Sequence, residues 1–343
     1  MRAFITGTTG FVGANLARLL LAQGHQVRAL VRPQSRLDNL QNLGVETVVG
    51  DLCDPGLAEM MQGCDAVFHV AAHYSLWQAD RAQLHHSNVL GTRHLLAAAR
   101  AAKVDRTVYT SSVAAIGVPA DGRVADETYQ SPPERLIGAY KQSKYWAEQE
   151  AHAAVRNGQD VVIVNPSTPI GPWDIKPTPT GDIILRFLRR QMPAYLNTGL
   201  NLIHVQDVAA GHLLALEKGT TGDRYILGNE NLTLAQVLNQ LSDLTGLPAP
   251  KTVVPAWIPL SVAWMDERVL ARFGKTPSVP LDGVRMSRQM MFYDATKAQQ
   301  VLGLPQTPIR TALQEAIDWF VQHGYAPAPP QSRTAPETLG SHR

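Results

Sequence analysis

Three glycines at a spacing of three, Gly7, Gly10 and Gly13, stand between a short apolar run and an amphipathic stretch. Residues 2–6 read as a buried strand, and residues 11–23 place Val12, Leu16, Leu19 and Leu20 on one helical face. The junction Thr6-Gly7-Thr8-Thr9-Gly10-Phe11-Val12-Gly13 constrains what can follow. Its first glycine permits a tight turn, the second lets backbone approach a pyrophosphate, and the third lets helix and strand pack closely. The helix N-terminus then offers free N–H groups to an anion. An apolar start interrupted by these glycines, with Arg2 as its one charge, argues against a secretory signal peptide.

The alternation continues. Further buried strands are expected at 26–31, 45–49, 65–70, 107–110 and 160–165, with helices at 84–102 and 140–156. Strands alternating with helices at this spacing predict an α/β fold, a Rossmann-type doubly wound parallel sheet with helices on both faces. Residues 166–203 break the pattern with many prolines and glycines, a helix at 182–191 and a strand at 201–204. A helix at 208–218 and a strand at 224–227 return to it. From Leu232 the chain reads as mostly helical, with Thr233 as an N-cap. These changes divide the chain into a dinucleotide domain at 1–165 plus about 204–228, and a smaller mixed, mostly helical substrate lobe at 166–203 and 229–325. The Pro/Ser/Thr-rich end, 326–343, reads as a disordered tail, of which 328–343 should be dispensable.

The 343 residues suit about two domains. Lys plus Arg is 31 against 29 Asp plus Glu, and a net charge of +2 argues against a nucleic-acid partner. Cys53 and Cys64 form no C-x-x-C pair and fit a reducing compartment, the cytoplasm; both read as core residues. No apolar run approaches the roughly 20 residues of a membrane span. None of the histidines stands in a metal-binding spacing, so no metal is expected; His85-His86 reads as a helix face, and Asp207 as the N-cap of its helix.

The end of the second strand bears on cofactor choice. An acid there would suit a ribose 2′-hydroxyl. This chain has Leu30-Val31-Arg32-Pro33-Gln34-Ser35-Arg36 instead. Arg32 and Arg36 suit a 2′-phosphate, because guanidinium binds phosphate in a forked geometry. NADP(H) is therefore favoured over NAD(H). Asp51, in Gly50-Asp51-Leu52, either accepts from an adenine amino group or caps the next turn.

Tyr140-Lys141-Gln142-Ser143-Lys144 places Tyr140 and Lys144 one helical turn apart. An ammonium beside the phenol is expected to lower its pKa from the ordinary value of about 10, making a usable acid/base. Thr110-Ser111-Ser112 ends the fifth strand, where open parallel sheets bind ligands. His73, Tyr74 and Trp77 follow the fourth strand at the same end, and either line the pocket or form a packed loop.

Together these residues resemble the extended short-chain dehydrogenase/reductase superfamily of the NAD-dependent epimerase/dehydratase type. Gly7-x-x-Gly10-x-x-Gly13, Ser112 and Tyr140-x-x-x-Lys144 carry the likeness. So do Gly50-Asp51-Leu52, His69-Val70-Ala71-Ala72, Asn88-Val89-x-Gly91-Thr92 and His204-Val205-x-Asp207-Val208. Within the superfamily the chain is similar to dihydroflavonol 4-reductase-like proteins. It is most similar to the bacterial branch of hopanoid-associated sugar epimerases, through Asn165-Pro-Ser-Thr-Pro-Ile-Gly-Pro172 and the stretch 174–181. The resemblance implies that Ser112, rather than Ser111, is the catalytic serine and also faces substrate. It implies Tyr140 as proton donor, and Lys144 as the residue that holds the nicotinamide ribose and lowers the tyrosine pKa. The glycine loop with Thr9, Phe11 and Val12 would hold the cofactor together with Asp51, Leu52, Ala71 and Ala72. Asn88 would support the site from its helix, and Asn165, Pro166 and Ser167 would face the nicotinamide. His73 and Tyr74 would touch substrate. A homodimer built on a helix pair is the family habit.

Three functions are weighed: an NADPH-dependent carbonyl reductase, a nucleotide-sugar epimerase or dehydratase, and an NADP-binding protein without turnover. Intact Ser112, Tyr140 and Lys144 speak against the last. Nucleotide-sugar enzymes of this superfamily often carry an arginine before the Ile-His-Val-x-Asp strand, and 198–204 here has no basic residue. The reductase is the favoured reading. The apolar segment 253–265, with Trp257 and Trp264, and the stretch around Phe187-Leu188 and Met192-Pro193-Ala194-Tyr195 suggest a large apolar substrate. Arg186, Arg189 and Arg190 beside them would suit peripheral contact with an anionic membrane.

Overall fold

The structure is a computed structural model and describes residues 1–255, 257 and 281–330. Its frame is a seven-stranded, fully parallel sheet: β1 (Arg2–Thr6), β2 (Gln26–Val31), β3 (Glu46–Val49), β4 (Ala66–His69), β5 (Arg106–Thr110), β6 (Val161–Pro166) and an edge strand at Arg224–Leu227. The order across the sheet is β3-β2-β1-β4-β5-β6-edge strand. The connection therefore reverses between β1 and β4, which opens a crevice at their carboxyl ends. Strands covered on both faces are nearly continuous apolar runs; Val161, Val162, Ile163 and Val164 of β6 are all fully buried. That is why periodicity finds them so readily.

Helix α1 (Phe11–Ala22) packs on one face, where Leu16, Ala17 and Leu20 join Ile5, Phe68 and Val162. A helix at Val205–Lys218 lies against it through Val208, Ala209 and Leu213. The other face carries the expected Ala-rich helix, but it is not one regular helix. It runs as Arg81–Leu84, a π-helical stretch His85–Leu90 and Gly91–Ala101. A π turn inside a helix frequently marks a functional site, and this one contains Asn88. The long helix Gly138–Arg156 completes that face.

The second lobe has more sheet than its sequence suggests. Gly199–His204 is central to a four-stranded sheet, flanked by Glu230–Thr233, Thr168–Ile170 and Met290–Met291. Its helices are Pro179–Leu188, Leu234–Thr245 and Ile309–Gln322. Thr233 does cap its helix, in a reciprocal capping box with Gln236. Phe187 and Leu188 are core residues of this lobe and not surface, because the amphipathic face of their helix meets Leu238, Leu313 and Phe320. Arg186 is paired with Asp182 at 2.9 Å, and Arg189 donates to the Tyr325 carbonyl at 2.7 Å. Most of the apolar segment 253–265 lies outside the described residues; Val253 and Trp257 within it are exposed.

Three further readings change. The helix at Val205–Lys218 is capped by His204, whose Nδ1 accepts from the Gln206 N–H. Asp207 lies inside its first turn and receives the Thr307 N–H at 2.7 Å and hydroxyl at 2.8 Å. Cys64 is buried, but Cys53 is partly exposed beside His86. The supposed tail begins docked: Ala326 packs into the lobe core, directly after Tyr325, whose hydroxyl donates to the Ile175 carbonyl. Residues 331–343 lie outside the described residues. Among the described residues no helix is long and apolar enough to cross a membrane.

Candidate active site

The glycine loop sits at the carboxyl end of β1. Gly7 takes a φ of +81°, and a Cβ there would lie 2.7 Å from the Ala71 nitrogen. At Gly13 a Cβ would lie 2.3 Å from the Gly7 carbonyl oxygen, so helix and loop approach as closely as glycine allows. Helix α1 starts at Gly10 with no side-chain cap on its first N–H groups. Such an end favours an anion.

Residues not singled out from sequence brace this loop from behind. Asn39 is fully buried and its amide reaches the carbonyls of Thr9 and Trp173. Asn15 bridges the carbonyls of Phe11 and Pro172. Arg18 donates to the Asn39 carbonyl at 2.9 Å and stacks 3.5 Å over the Trp173 ring. These contacts tie a strap of the second lobe, 171–173, to the phosphate loop. Apart from the Asn15–Phe11 bond, they join residues 21 to 157 apart in sequence and leave no local signal.

At the end of β2, Arg32 is exposed and has no ion-pair partner among the described residues. Arg36 is held by Asp38 at 2.8 Å and is less available to a ligand. Asp51 accepts the Cys53 N–H at 3.2 Å, the turn-capping alternative, and Leu52 packs against Gly91.

A buried polar chain crosses the centre. The Ala71 N–H donates to the Thr6 hydroxyl, which donates to His69 Nδ1 at 2.8 Å. The Thr92 hydroxyl is committed to the Asn88 carbonyl at 2.6 Å, so His69 Nε2 carries the proton that bonds Thr92 at 3.0 Å. Burial, with the Lys144 charge, pushes His69 down to about 3, and it stays neutral. The Asn88 side chain accepts from the His73 N–H at 2.7 Å and donates to its carbonyl at 2.9 Å. It also bonds Ser143 at 2.9 Å. The loop after β4 is thereby fixed to the helix of Tyr140, and the Tyr74 ring meets the Tyr140 ring edge-on at 4.6 Å. Ala72 is exposed beside that loop.

Ser112 caps the short helix Val113–Ile116, its oxygen accepting from Ala114 N–H at 3.1 Å, and its hydroxyl also hydrogen-bonds Tyr140. Tyr140 differs from expectation. Burial pushes its pKa up, Tyr74 adds to this, and the Ser112 hydrogen bond only opposes it. The Lys144 ammonium points to the Thr110 carbonyl at 2.8 Å and lies 5.3 Å from the Tyr109 ring centre. Burial therefore sets the direction for the phenol, above its ordinary value. Lys144 itself is lowered to about 8 by burial, with Glu148 opposing.

Asn165, fully buried, donates to the Ser112 carbonyl at 3.0 Å and to Glu148 at 2.8 Å. Pro166 ends β6 and Ser167 follows it. Buried polar atoms without a protein partner cluster around this crevice: Thr8 Oγ1, His73 Nε2, Asn165 Oδ1 and Ser167 Oγ. A glycine cradle with no room for a Cβ and a set of orphaned polar atoms fit a bound dinucleotide. A cleft of about 780 Å³ opens elsewhere, at the outer edge strand between Glu127, His152, Arg224 and Lys297, and holds none of these residues.

The likeness to known proteins agrees with this geometry. Residues 3–228 match the NAD dependent epimerase/dehydratase family. The chain is 69% identical to a Synechocystis sp. protein named "Putative dihydroflavonol 4-reductase", over 94% of this chain and 95% of that one. It is 36% identical to "Sterol demethylase protein B" of Methylococcus capsulatus, over 94% of this chain and 99% of the relative. The crystal structure of gox2253 superposes with a TM-score of 0.85 at 46% identity, covering 94% of this chain and 99% of that one. With a parallel sheet in Rossmann order, a glycine cradle at its switch point and relatives matched along nearly their whole length, the chain belongs to the NAD dependent epimerase/dehydratase family and is an NAD(P)-dependent oxidoreductase.

Proposed function

We propose that the protein is an NADPH-dependent carbonyl reductase acting on a large apolar ketone or aldehyde. The observation that carries this reading is geometric: Ser112 at the carboxyl end of β5 stands beside Tyr140, whose helix also brings Lys144 to the Thr110 carbonyl. Bound nicotinamide would supply the hydride. Tyr140 holds the proton that a reduced carbonyl oxygen needs, and an acid that stays protonated at neutral pH is ready to give it. Ser112 orients that oxygen, and Asn165 fixes the Ser112 backbone from β6. Lys144 places a positive charge behind the site. The glycine loop receives the pyrophosphate. Arg32, exposed and unpaired among the described residues, suits the 2′-phosphate better than Arg36, which Asp38 engages.

The apolar character of the substrate is supported by the relative whose name refers to a sterol, a rigid polycyclic molecule. An epimerase or dehydratase is the second reading, favoured by the family match itself. Against it, the strand Gly199–His204 offers no lysine or arginine for a substrate diphosphate, His204 is engaged by Glu315, and Asn201 is buried and committed to Asn231 and the Tyr293 carbonyl. Purified protein mixed with NADPH and a panel of steroid and isoprenoid ketones should consume the cofactor. Tightly held NAD that does not exchange, with interconversion of a nucleotide sugar, would replace this reading by the second.

A further inference from the structure

We infer that the buried Arg224–Glu148 pair is a positioning device for the active site, clamping the Ser112 backbone and the ends of β5 and β6 to the helix that carries Tyr140 and Lys144. The inference rests on the reading that Lys144 and Ser112 belong to the reaction centre. Glu148 lies one helical turn beyond Lys144 and is 1% exposed. One of its oxygens accepts from the Ser111 hydroxyl at 2.5 Å and from the Asn165 amide at 2.8 Å. The same Asn165 nitrogen holds the Ser112 carbonyl at 3.0 Å. The other oxygen accepts from Arg224 at 2.8 Å. A single carboxylate therefore gathers the end of β5, the end of β6 and the start of the edge strand onto the helix that carries Tyr140 and Lys144.

Arg224 is itself held at points away from Glu148. Its other hydrogen bonds go to the carbonyls of Glu127 and Tyr129 and to Gln130 Oε1, at 2.8–2.9 Å. The clamp is thus anchored on a separate loop. A buried ion pair is weak evidence for stability, but removing one partner strands the other, so such pairs can specify geometry. The groups around the pair are known on every side. Lys144 faces Glu148 on its own helix, His69 on β4, and the Tyr109 ring and Thr110 carbonyl on β5. His69 is neutral and Tyr140 protonated, so Glu148 is the one anion opposing the desolvation of Lys144. On the far side Glu148 meets Arg224 and, at 3.9 Å, His152, which burial keeps low.

The test compares wild type, Glu148→Gln, and Glu148→Gln with Arg224→Met. The double variant removes the stranded guanidinium and preserves folding if the single one fails. Two readouts separate positioning from mere structure. The first is the titration of Lys144, followed by ¹³Cε-lysine NMR on cofactor-free protein and assigned with Lys144→Met. It should move down by about one pH unit or more in either variant. The second is the pH profile of turnover with saturating NADPH, whose alkaline limb should move down with it while KM for the carbonyl substrate changes less than kcat. A Lys144 titration that stays in place, with a lowered melting temperature, would make Glu148 a structural residue only and overturn the inference. A moved titration with an unmoved pH profile would keep the coupling but remove Lys144 from the reaction, which is failure of the functional reading instead.

Discussion

The Lys144 ammonium donates to the Thr110 carbonyl at 2.8 Å, and the Tyr140 phenol is left to the influence of burial. The ammonium that sequence spacing places one turn from the phenol is bonded to backbone, and burial raises the phenol's pKa. Tyr140 is a protonated acid, and Lys144 a buried base lowered to about 8. Tyr140→Phe removes only the hydroxyl and keeps the edge-on contact with Tyr74. Turnover should fall by roughly 10²–10⁴, the contribution of a general acid. NADPH affinity and melting temperature should hold. Wild-type turnover in this variant would remove Tyr140 from the chemistry.

Cofactor choice hangs on Arg32. A charge-assisted hydrogen bond contributes about 1.5–3 kcal/mol, or roughly tenfold or more in affinity. Arg32→Ala should weaken NADPH by that factor and leave NADH nearly unchanged. Arg36→Ala should matter less, because the Asp38 contact already occupies that guanidinium. Fluorescence titration of both cofactors against each variant measures this, and equal losses for NADPH and NADH would sink the assignment.

The glycine loop makes a steric prediction that needs no substrate. Gly13→Ala would drive a Cβ to 2.3 Å from the Gly7 oxygen, a backbone atom that cannot rotate away. Overpacking of this kind costs about 1–3 kcal/mol. It should also abolish dinucleotide binding by shifting the loop. Gly44→Ala is the control, since a Cβ there meets nothing within 4 Å; it should be neutral or slightly stabilising. Thermal melts with and without NADPH distinguish the two, and a well-tolerated Gly13→Ala would show that α1 can slide on β1.

The frame of the molecule, and the residues proposed for its chemistry, stand out in the sequence for one reason: their signals are local. Strands buried on both faces announce themselves as apolar runs, and the glycine loop and Tyr140-x-x-x-Lys144 each fit within eight residues. What stayed hidden is long-range or depends on burial. Glu148 stands in Ala147-Glu148-Gln149-Glu150, which reads as a solvated helix face, and its guanidinium partner is 76 residues away. Asp207 looked like a cap because its partner, Thr307, is 100 residues on. The π turn around Asn88 has no composition of its own. The raised pKa of Tyr140 follows from desolvation, a property of the folded site that helical spacing cannot supply.

Two buried histidines set the last prediction. His69 is lowered to about 3 and His212 to about 4, both chiefly by burial. His212 accepts from the Thr110 hydroxyl at 2.8 Å and donates to the Val208 carbonyl at 2.7 Å, so it is satisfied as the neutral ring. In the unfolded chain both would titrate near 6.5. Between the folded and unfolded values the unfolded state binds more protons, and stability then rises with pH. Their contribution is therefore fully present above about pH 6.5 and is lost as pH falls toward 4 and then 3. Denaturant midpoints should decline over that window. Imidazole NMR should show two rings that do not titrate between pH 8 and 5, and they should disappear in His69→Gln and His212→Gln. If every imidazole titrated near 6.5 in the folded protein, the buried polar chain from Ala71 to Asn88 would not be as described, and the acid sensitivity would have another origin.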